Sequence, residues 1–316
     1  MLEIKDRKKM LPLHCYISHP NVLLESLLRK YGGWIPDKQY LQMLYYLKMH
    51  KRLNLDNPQT FSEKIQWLKL YNRRPEYTMM VDKLAVKDYV AGIIGSEYII
   101  PTLGVWDRPE DIDFDSLPNE FVLKTTHGGG GGGVVICKDK LLFDKKGAIN
   151  KLRIAMKQDI YKKLREWPYK NVKRRIIAEK YIEEALNPRS DLKDYKFYCF
   201  NGIPKFCQVI GERRIKETID FFDMEWTHQD FCGLCPADAP LLFEPAKMAP
   251  LQPLHYKKMR EVARMLSYGI PFCRIDLYDT PIQAYFGEIT FYPASGLGVF
   301  TPSKYNGRLG EMIKLL

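Results

Sequence analysis

Apolar residues recur at helical spacing through the first quarter of the chain. Leu23, Leu24, Leu27 and Leu28 make one stripe, residues 40–47 carry a second, and Phe61, Ile65 and Leu68 make a third. Asn57-Pro58 punctuates before the third helix, and Thr60 followed by Glu63 fits a capping box. The aromatic residues here (Trp34, Tyr40, Tyr45, Tyr46 and Trp67) are read as core, not as a ligand platform. Residues 80–95 read as one amphipathic helix, with Val81, Leu84, Ala85 and Tyr89 on a face and Gly95 ending it. Lys83 and Lys87, four apart on that helix, read as solvated surface charges.

From residue 99 the pattern shortens to strands. A strand begins at 99–101, and residues 106–117 form an acidic loop or short helix. Residues 121–124 and 134–137 are β-type runs, and 141–175 is helical. Strands follow at 176–182, 194–200, 205–210 and 218–222, with Asn201-Gly202 as a hairpin turn. Residues 253–269 form an amphipathic helix through Met259, Val262, Ala263 and Leu266. Residues 272–278 and 284–290 then form a hairpin about Asp279-Thr280-Pro281, closed by 293–298. The order predicts an α+β fold behind a helical N-terminal region.

Composition narrows the class. The 316 residues are 46% apolar and 28% charged, an ordinary globular balance. The formal charge of +11 favours an anionic partner. No run of about 18 apolar residues exists, so no membrane span is expected. The charged N-terminus lacks an apolar signal core, and seven cysteines without framework spacing suggest reduced thiols; both predict a cytoplasmic protein. Between residues 151 and 175 ten Lys/Arg face two acids, interleaved with Tyr161, Trp167 and Tyr169. Such a run is a solvated face, or a docking face for a polyanion or anionic lipid. No nucleic-acid motif accompanies it, so no nucleic-acid partner is expected. Cys232, Cys235 and His228 lack the second pair a structural zinc needs and are read as an incidental loop.

The chemistry centres on residues 121–138. A strand ends in Lys124, followed by Thr125, Thr126, His127 and six glycines, Gly128 to Gly133, before the next strand. Glycines allow close backbone approach and amide donors for a phosphate. A Walker loop would continue Gly-Lys-Ser/Thr into a helix, and a dinucleotide loop would also open a helix; here the glycines open a strand. Three further pieces accompany the loop: Asp82-Lys83, the strand end Glu179-Lys180-Tyr181-Ile182, and a hairpin carrying Arg274, Asp276, Glu288 and Thr290. Two lysines suit ATP phosphates, and two carboxylates suit Mg²⁺.

The order of these pieces resembles the ATP-grasp superfamily. The stretches TFSEKIQWLKLYNRRPEYTMMVDKLAVKDYV, FVLKTTHG, DYKFYCFNG and FGEITFYPASG are similar to its TupA-like family, associated with teichuronopeptide and capsular polysaccharide biosynthesis, from about residue 55 onward. The resemblance implies two α+β subdomains sandwiching ATP, residues 76–180 with the glycine lid and residues 181–316 with the Mg²⁺ site, behind the helical region 1–75. Lys83 and Lys124 would meet the phosphates, with His127, Gly128, Gly129 and Gly130 in a mobile lid expected to be poorly ordered without nucleotide. Glu179, Lys180, Tyr181 and Ile182 would read the adenine, and Asp194, with Glu184 as rival, would hold the ribose. Arg274 would stabilise the reacting centre, Asp276 and Glu288 would ligate Mg²⁺, and amides about Gly296 would face the reacting carboxyl.

The chain departs from the family pattern in places. Thr290 stands where many relatives have the last metal-binding asparagine, and the glycine run replaces a His-Gly-Ser-Gly type. The helical N-terminal region differs from the open α/β domain of many relatives. A lysine that some relatives place on the next strand has Lys196, Arg213 or Arg214 as stand-ins. The resemblance implies an ATP- and Mg²⁺-dependent carboxylate–amine ligase working through an acyl phosphate. It would join an amino compound to a uronic-acid-type carboxylate, in the cytoplasm or at the inner membrane face. A nucleotide-sugar glycosyltransferase of the same pathway is the rival, but it lacks an Asp-x-Asp. A non-enzymatic polyanion binder would leave Lys124, Arg274, Asp276 and Glu288 unexplained.

Overall fold

The fold is seen in a computed structural model that describes residues 20–129, 132–185, 192–211 and 217–315. Three helices open it: α1 (Pro20–Tyr31), α2 (Asp37–Met49) and α3 (Phe61–Tyr71). The capping box forms as expected: Glu63 N–H donates to Thr60 Oγ1 at 3.3 Å and Thr60 N–H to Glu63 Oε2 at 3.0 Å. α2 buries Tyr40, Leu41, Leu44 and Tyr45 in a small core with Leu28, Leu53 and Leu55. One expectation fails here: Trp34 and Tyr46 are exposed instead of core. The first leucine stripe lies on a helix as expected, and only its Leu28 is buried.

The predicted helix over 80–95 is two helices, α4 (Glu76–Val81) and α5 (Ala85–Ile94). Asp82 breaks it, because its carboxylate accepts the Leu84 and Ala85 amides at 2.9 and 3.4 Å, in the manner of an N-cap inside the expected helix. The buried face is therefore Val86, Val90 and Ile94.

Four strands follow or flank a basic helical stretch: β1 (Thr102–Trp106), β2 (Phe121–Thr125), β3 (Val134–Cys137), then α6 (Lys145–Met156), α7 (Ile160–Leu164), and β4 (Ile176–Lys180). They pair antiparallel in the order β1-β4-β2-β3. Phe121, Leu123, Ile176 and Ala178 share a core with Leu152 of α6.

β5 (Asp194–Phe200), β6 (Ile203–Gly211), β7 (Thr218–Asp223), β8 (Cys232–Cys235), α8 (Tyr256–Leu266), β9 (Phe272–Asp279), β10 (Ala284–Thr290), β11 (Val299–Thr301) and α9 (Lys304–Met312) complete the chain. An antiparallel five-stranded sheet runs β10-β9-β5-β6-β7, and β8 pairs with β11. Cys232 and Cys235 thus lie in a buried strand, where a loop was expected. The main core packs α3, α4, α5 and α8 against the five-stranded sheet.

Asp37 joins three distant segments. It accepts from Arg73 at 2.6 Å and from Tyr161 at 3.1 Å, and pairs with Arg165 Nε at 3.0 Å. The buried Arg165 guanidinium also stacks 3.9 Å from the Tyr40 ring centre. The basic run is accordingly less open than its count suggests: Arg153, Arg165, Lys173, Arg174 and Arg175 are all ion-paired.

Candidate active site

A cleft of about 660 Å³ lies between the two larger sheets. Strand alternation selects what enters it. On β9, Ile275 and Leu277 go to the core, while Arg274, Asp276 and Tyr278 take the cleft face. On β10 the alternation is reset. The register passes from Phe286↔Leu277 to Glu288↔Asp276, leaving Gly287 as a bulge. Unbulged pairing would set Glu288 opposite Ile275, on the core face. A Cβ on Gly287 would meet Asp276 O and Tyr278 Cε2, each at 3.0 Å.

Asp276 is almost wholly buried and is gripped by Arg274, whose Nε and Nη2 reach its two oxygens at 2.7 Å each. Lys196, its register partner on β5, donates to the same carboxylate and lies 3.6 Å from Asp194. Glu288 takes Lys83 at 2.8 Å and Arg274 at 3.5 Å. Thr290 Oγ1 accepts from Arg274 at 3.2 Å and donates to Glu288 at 3.3 Å, so its hydroxyl is joined to the carboxylate pair.

Lys83 stands in the break made by Asp82. Its amide donates to Thr126 O at 3.0 Å and its ammonium to Gly128 O at 2.9 Å. Asp82 itself pairs with Arg175 at 3.1 Å, which fixes the break against the start of β4.

Across the cleft, Glu179 on β4 receives Lys124 and Lys87 at 2.6 Å each. Lys87, expected on the surface, is largely buried and also donates to Ile100 O at 2.7 Å. The helix starts afresh after the Asp82 break, and the new α5 directs this side chain toward β4.

The electrostatics follow from this pairing. Burial opposes the Glu288 charge, but Lys83, Lys196 and Arg274 outweigh it and hold its carboxyl well below the usual range. Burial likewise opposes the Glu179 charge, and Lys124 and Lys87 pull its pKa below the ordinary value. Burial lowers the Lys87 ammonium, with Glu179 working against that shift. Burial, then the Asp194 and Glu288 charges, push the Tyr278 phenol well up, so it stays protonated.

Of the residues singled out by the sequence, the cleft gathers Lys83, Lys124, Gly128, Gly129, Glu179, Lys180, Tyr181, Ile182, Asp194, Lys196, Arg274, Asp276 and Glu288. Thr290 joins the group through its bonds with Arg274 and Glu288. Glu184 does not line the cleft; it is buried against Lys193 and the Tyr195 hydroxyl. His127 is buried outside the cleft lining, where burial and then Arg174 hold its imidazole below its ordinary pKa.

Gly296 is not in the lining either. Its carbonyl and that of Ser295 accept from Gln66, Lys69 also donates to Ser295 O, and a Cβ at Gly296 would strike Ile65 Cγ2 at 2.5 Å. Packing against α3 thus accounts for this glycine. Gly130, Arg213 and Arg214 lie outside the described residues, and so does part of the expected lid.

Tyr278 in the cleft lining and Lys87, which pairs with Glu179 beside it, were not expected there. Tyr278 carried a usable signal, since it stands two after Asp276 on the same strand face. Lys87 carried none, because its partner Glu179 is remote in sequence.

Among the described residues no cluster of three or more His, Cys, Asp or Glu side chains gathers at one point. The cleft offers two cross-strand carboxylates with a hydroxyl beside them. That all-oxygen set fits Mg²⁺, which takes one or two protein carboxylates and leaves its other positions to phosphate and water.

A profile of the TupA-like ATP-grasp family matches residues 63–314. No curated protein matches the sequence. Among solved structures, the chain is similar to the D-alanine–D-alanine ligase from Bacillus anthracis at 17% identity and TM-score 0.37, covering 67% of this chain and 57% of that one. It is similar to the enzyme of the same name from Helicobacter pylori at 14% identity and TM-score 0.40, covering 80% and 69%. The D-cycloserine synthetase DcsG is similar at 15% identity and TM-score 0.39, covering 75% and 71%. The chain therefore spans only part of the length of each, 57% in the case of the Bacillus anthracis enzyme.

Proposed function

The chain belongs to the TupA-like ATP-grasp family of ligases, and from that premise we propose that it joins a carboxylate to an amine with conversion of ATP to ADP. The observation that carries the reading is the Asp276–Glu288 pair, held opposite one another by the Gly287 bulge and surrounded by Arg274, Lys196 and Lys83.

In this reading Lys83 and Lys124 neutralise the phosphate chain, with the Gly128 and Gly129 amides beside it. Glu179, Lys180, Tyr181 and Ile182 border the adenine, and Asp194 holds the ribose. Mg²⁺, when bound by Asp276 and Glu288 with Thr290 nearby, supplies charge neutralisation at the transferring phosphoryl group. A substrate carboxylate oxygen attacks the γ-phosphorus, the bond to the ADP oxygen breaks, and an acyl phosphate forms. Arg274 offsets the charge on the phosphoryl oxygens in that step. The amine nitrogen then attacks the acyl carbon, phosphate departs, and the nitrogen loses a proton. No protein nucleophile is required.

The acceptor is a uronic-acid-type carboxylate of a surface polysaccharide and the donor an amino acid or amino compound, a reading that rests on the family. The two parts that close on ATP are built on the four-stranded and the five-stranded sheet, with α4 and α5 packed on the latter. The test is an ADP-release screen of amino acids crossed with uronic acids, read by mass for a new amide. Magnesium-dependent ATP binding without ADP release across the panel would reject the substrate class. Failure of ATP with Mg²⁺ to raise the thermal midpoint would reject the ligase reading.

A further inference from the structure

The apolar stripe on α1 points away from the protein. Leu28 and Glu25 face α2, where Leu28 is buried and Glu25 pairs with Lys48 at 2.6 Å. At 100° per residue, Leu23, Leu24, Leu27 and Tyr31 fall together on another face. Leu24 is 51% and Tyr31 60% exposed, and Trp34, on the turn that follows, is 82% exposed. A run of leucines ending in Tyr and Trp, all on the solvent side, is not accounted for by the fold.

Cations are built into the same place. The Lys30 ammonium lies 5.0 Å from the Tyr31 ring centre. A methyl on Gly33 would come within 3.4 Å of Lys162 Cε, so the exposed Lys162 stands beside Trp34's own turn. The juxtaposition is fixed: Arg165 donates to Gly32 O at 2.9 Å and Ile35 O at 3.3 Å, and Tyr40 donates to Lys163 O at 2.9 Å. The exposed part of the basic run is thereby locked against the exposed apolar turn.

We propose that this face docks on the surface of a membrane rich in anionic lipid. Leu24, Leu27 and Trp34 enter the boundary between headgroups and acyl chains, and Lys30 and Lys162 meet the phosphates. Trp and Tyr are the side chains suited to that depth. The occupant follows from charge and chemistry together. A soluble polyanion satisfies the lysines and leaves the leucines in water, while a second copy brings another chain of formal charge +11. The proposed contact is at the membrane surface, and no described helix is long and apolar enough to cross a membrane.

The test is co-sedimentation of the full chain with phosphatidylglycerol/phosphatidylcholine vesicles against pure phosphatidylcholine, and it does not depend on the ligase reading. Binding is expected only to the anionic vesicles and weakens as salt rises. Trp34→Ala and Leu27→Glu should each weaken it by about tenfold or more, with the thermal midpoint and ATP affinity unchanged. Three results overturn the proposal: no vesicle binding by the unaltered chain, variants that bind as well as it does, or a Leu27→Glu variant that dissociates a solution dimer or lowers the thermal midpoint. The last would mean that a second copy or the chain's own residues 1–19 cover the face.

Discussion

Glu288 stands opposite Asp276 because Gly287 is extruded from the ladder between β9 and β10. One residue of slip decides whether the second carboxylate faces the cleft or the core. The pair therefore depends on backbone register as much as on the acids themselves. A Cβ at Gly287 would press on the Asp276 carbonyl, so the bulge position leaves little room for any residue but glycine.

Asp276→Asn and Glu288→Gln keep the shape of each side chain and remove its charge. Each should lower magnesium-dependent ADP release by about a hundredfold or more, with circular dichroism unchanged. Full turnover in either variant would remove that residue from the metal assignment.

Gly287→Val tests the register itself. The new side chain meets Asp276 O and Tyr278 at 3.0 Å. The expected cost is about 1–3 kcal/mol in urea unfolding. The folded fraction should lose activity as Glu288→Gln does. A folded variant with normal turnover would show that the bulge does not set the carboxylate pair.

Lys124→Ala should weaken ATP binding by about 1–3 kcal/mol, the usual worth of a charge-assisted contact. Isothermal titration reads it directly, and unchanged affinity would take Lys124 out of the nucleotide site.

Lys87→Met separates structure from binding. Glu179 loses one of its two cations but keeps Lys124 at 2.6 Å. The loss of stability should fall below the about 3–5 kcal/mol typical of a buried charge left alone. ATP affinity should change by no more than about twofold. A large loss of affinity with stability intact would make Lys87 a nucleotide contact.

Acid should unfold the protein partly through Glu179. Its folded pKa lies below the ordinary 4.5, so the stability it contributes is complete above that value and is lost as pH falls below it. Glu179→Gln should lower the thermal midpoint at neutral pH and flatten its decline below about pH 4.5. An acid limb of unchanged slope would show that the Lys124–Glu179–Lys87 group is not what titrates.

Much of the chain is legible from periodicity. The spacing of Tyr40 and Leu44, of Phe61, Ile65 and Leu68, and of Met259, Val262 and Leu266 predicts helices whose buried faces match. Alternation likewise marks the strands that carry Asp276 and Glu288. Four features are not legible, each for a physical reason. Periodicity shows that α1 has an apolar stripe but not whether anything covers it. Asp82 fits an amphipathic pattern and caps a new helix equally well, and only the path of the chain decides between them. The Lys87–Glu179 pair and the Gly287 bulge depend on which strands and helices meet, which local pattern does not encode.

Asp37 has a practical consequence for where the chain can be cut. The family match begins at residue 63, yet Asp37 is the shared acceptor for Arg73, Tyr161 and Arg165, and Leu297 sits in the same small core as Leu28 and Tyr40. A version trimmed to the matched stretch would leave the buried Arg165 guanidinium without its carboxylate and its aromatic platform. The stretch that homology recognises is thus shorter than the stretch that folds as a unit, and the helices ahead of residue 63 are foundation rather than appendage.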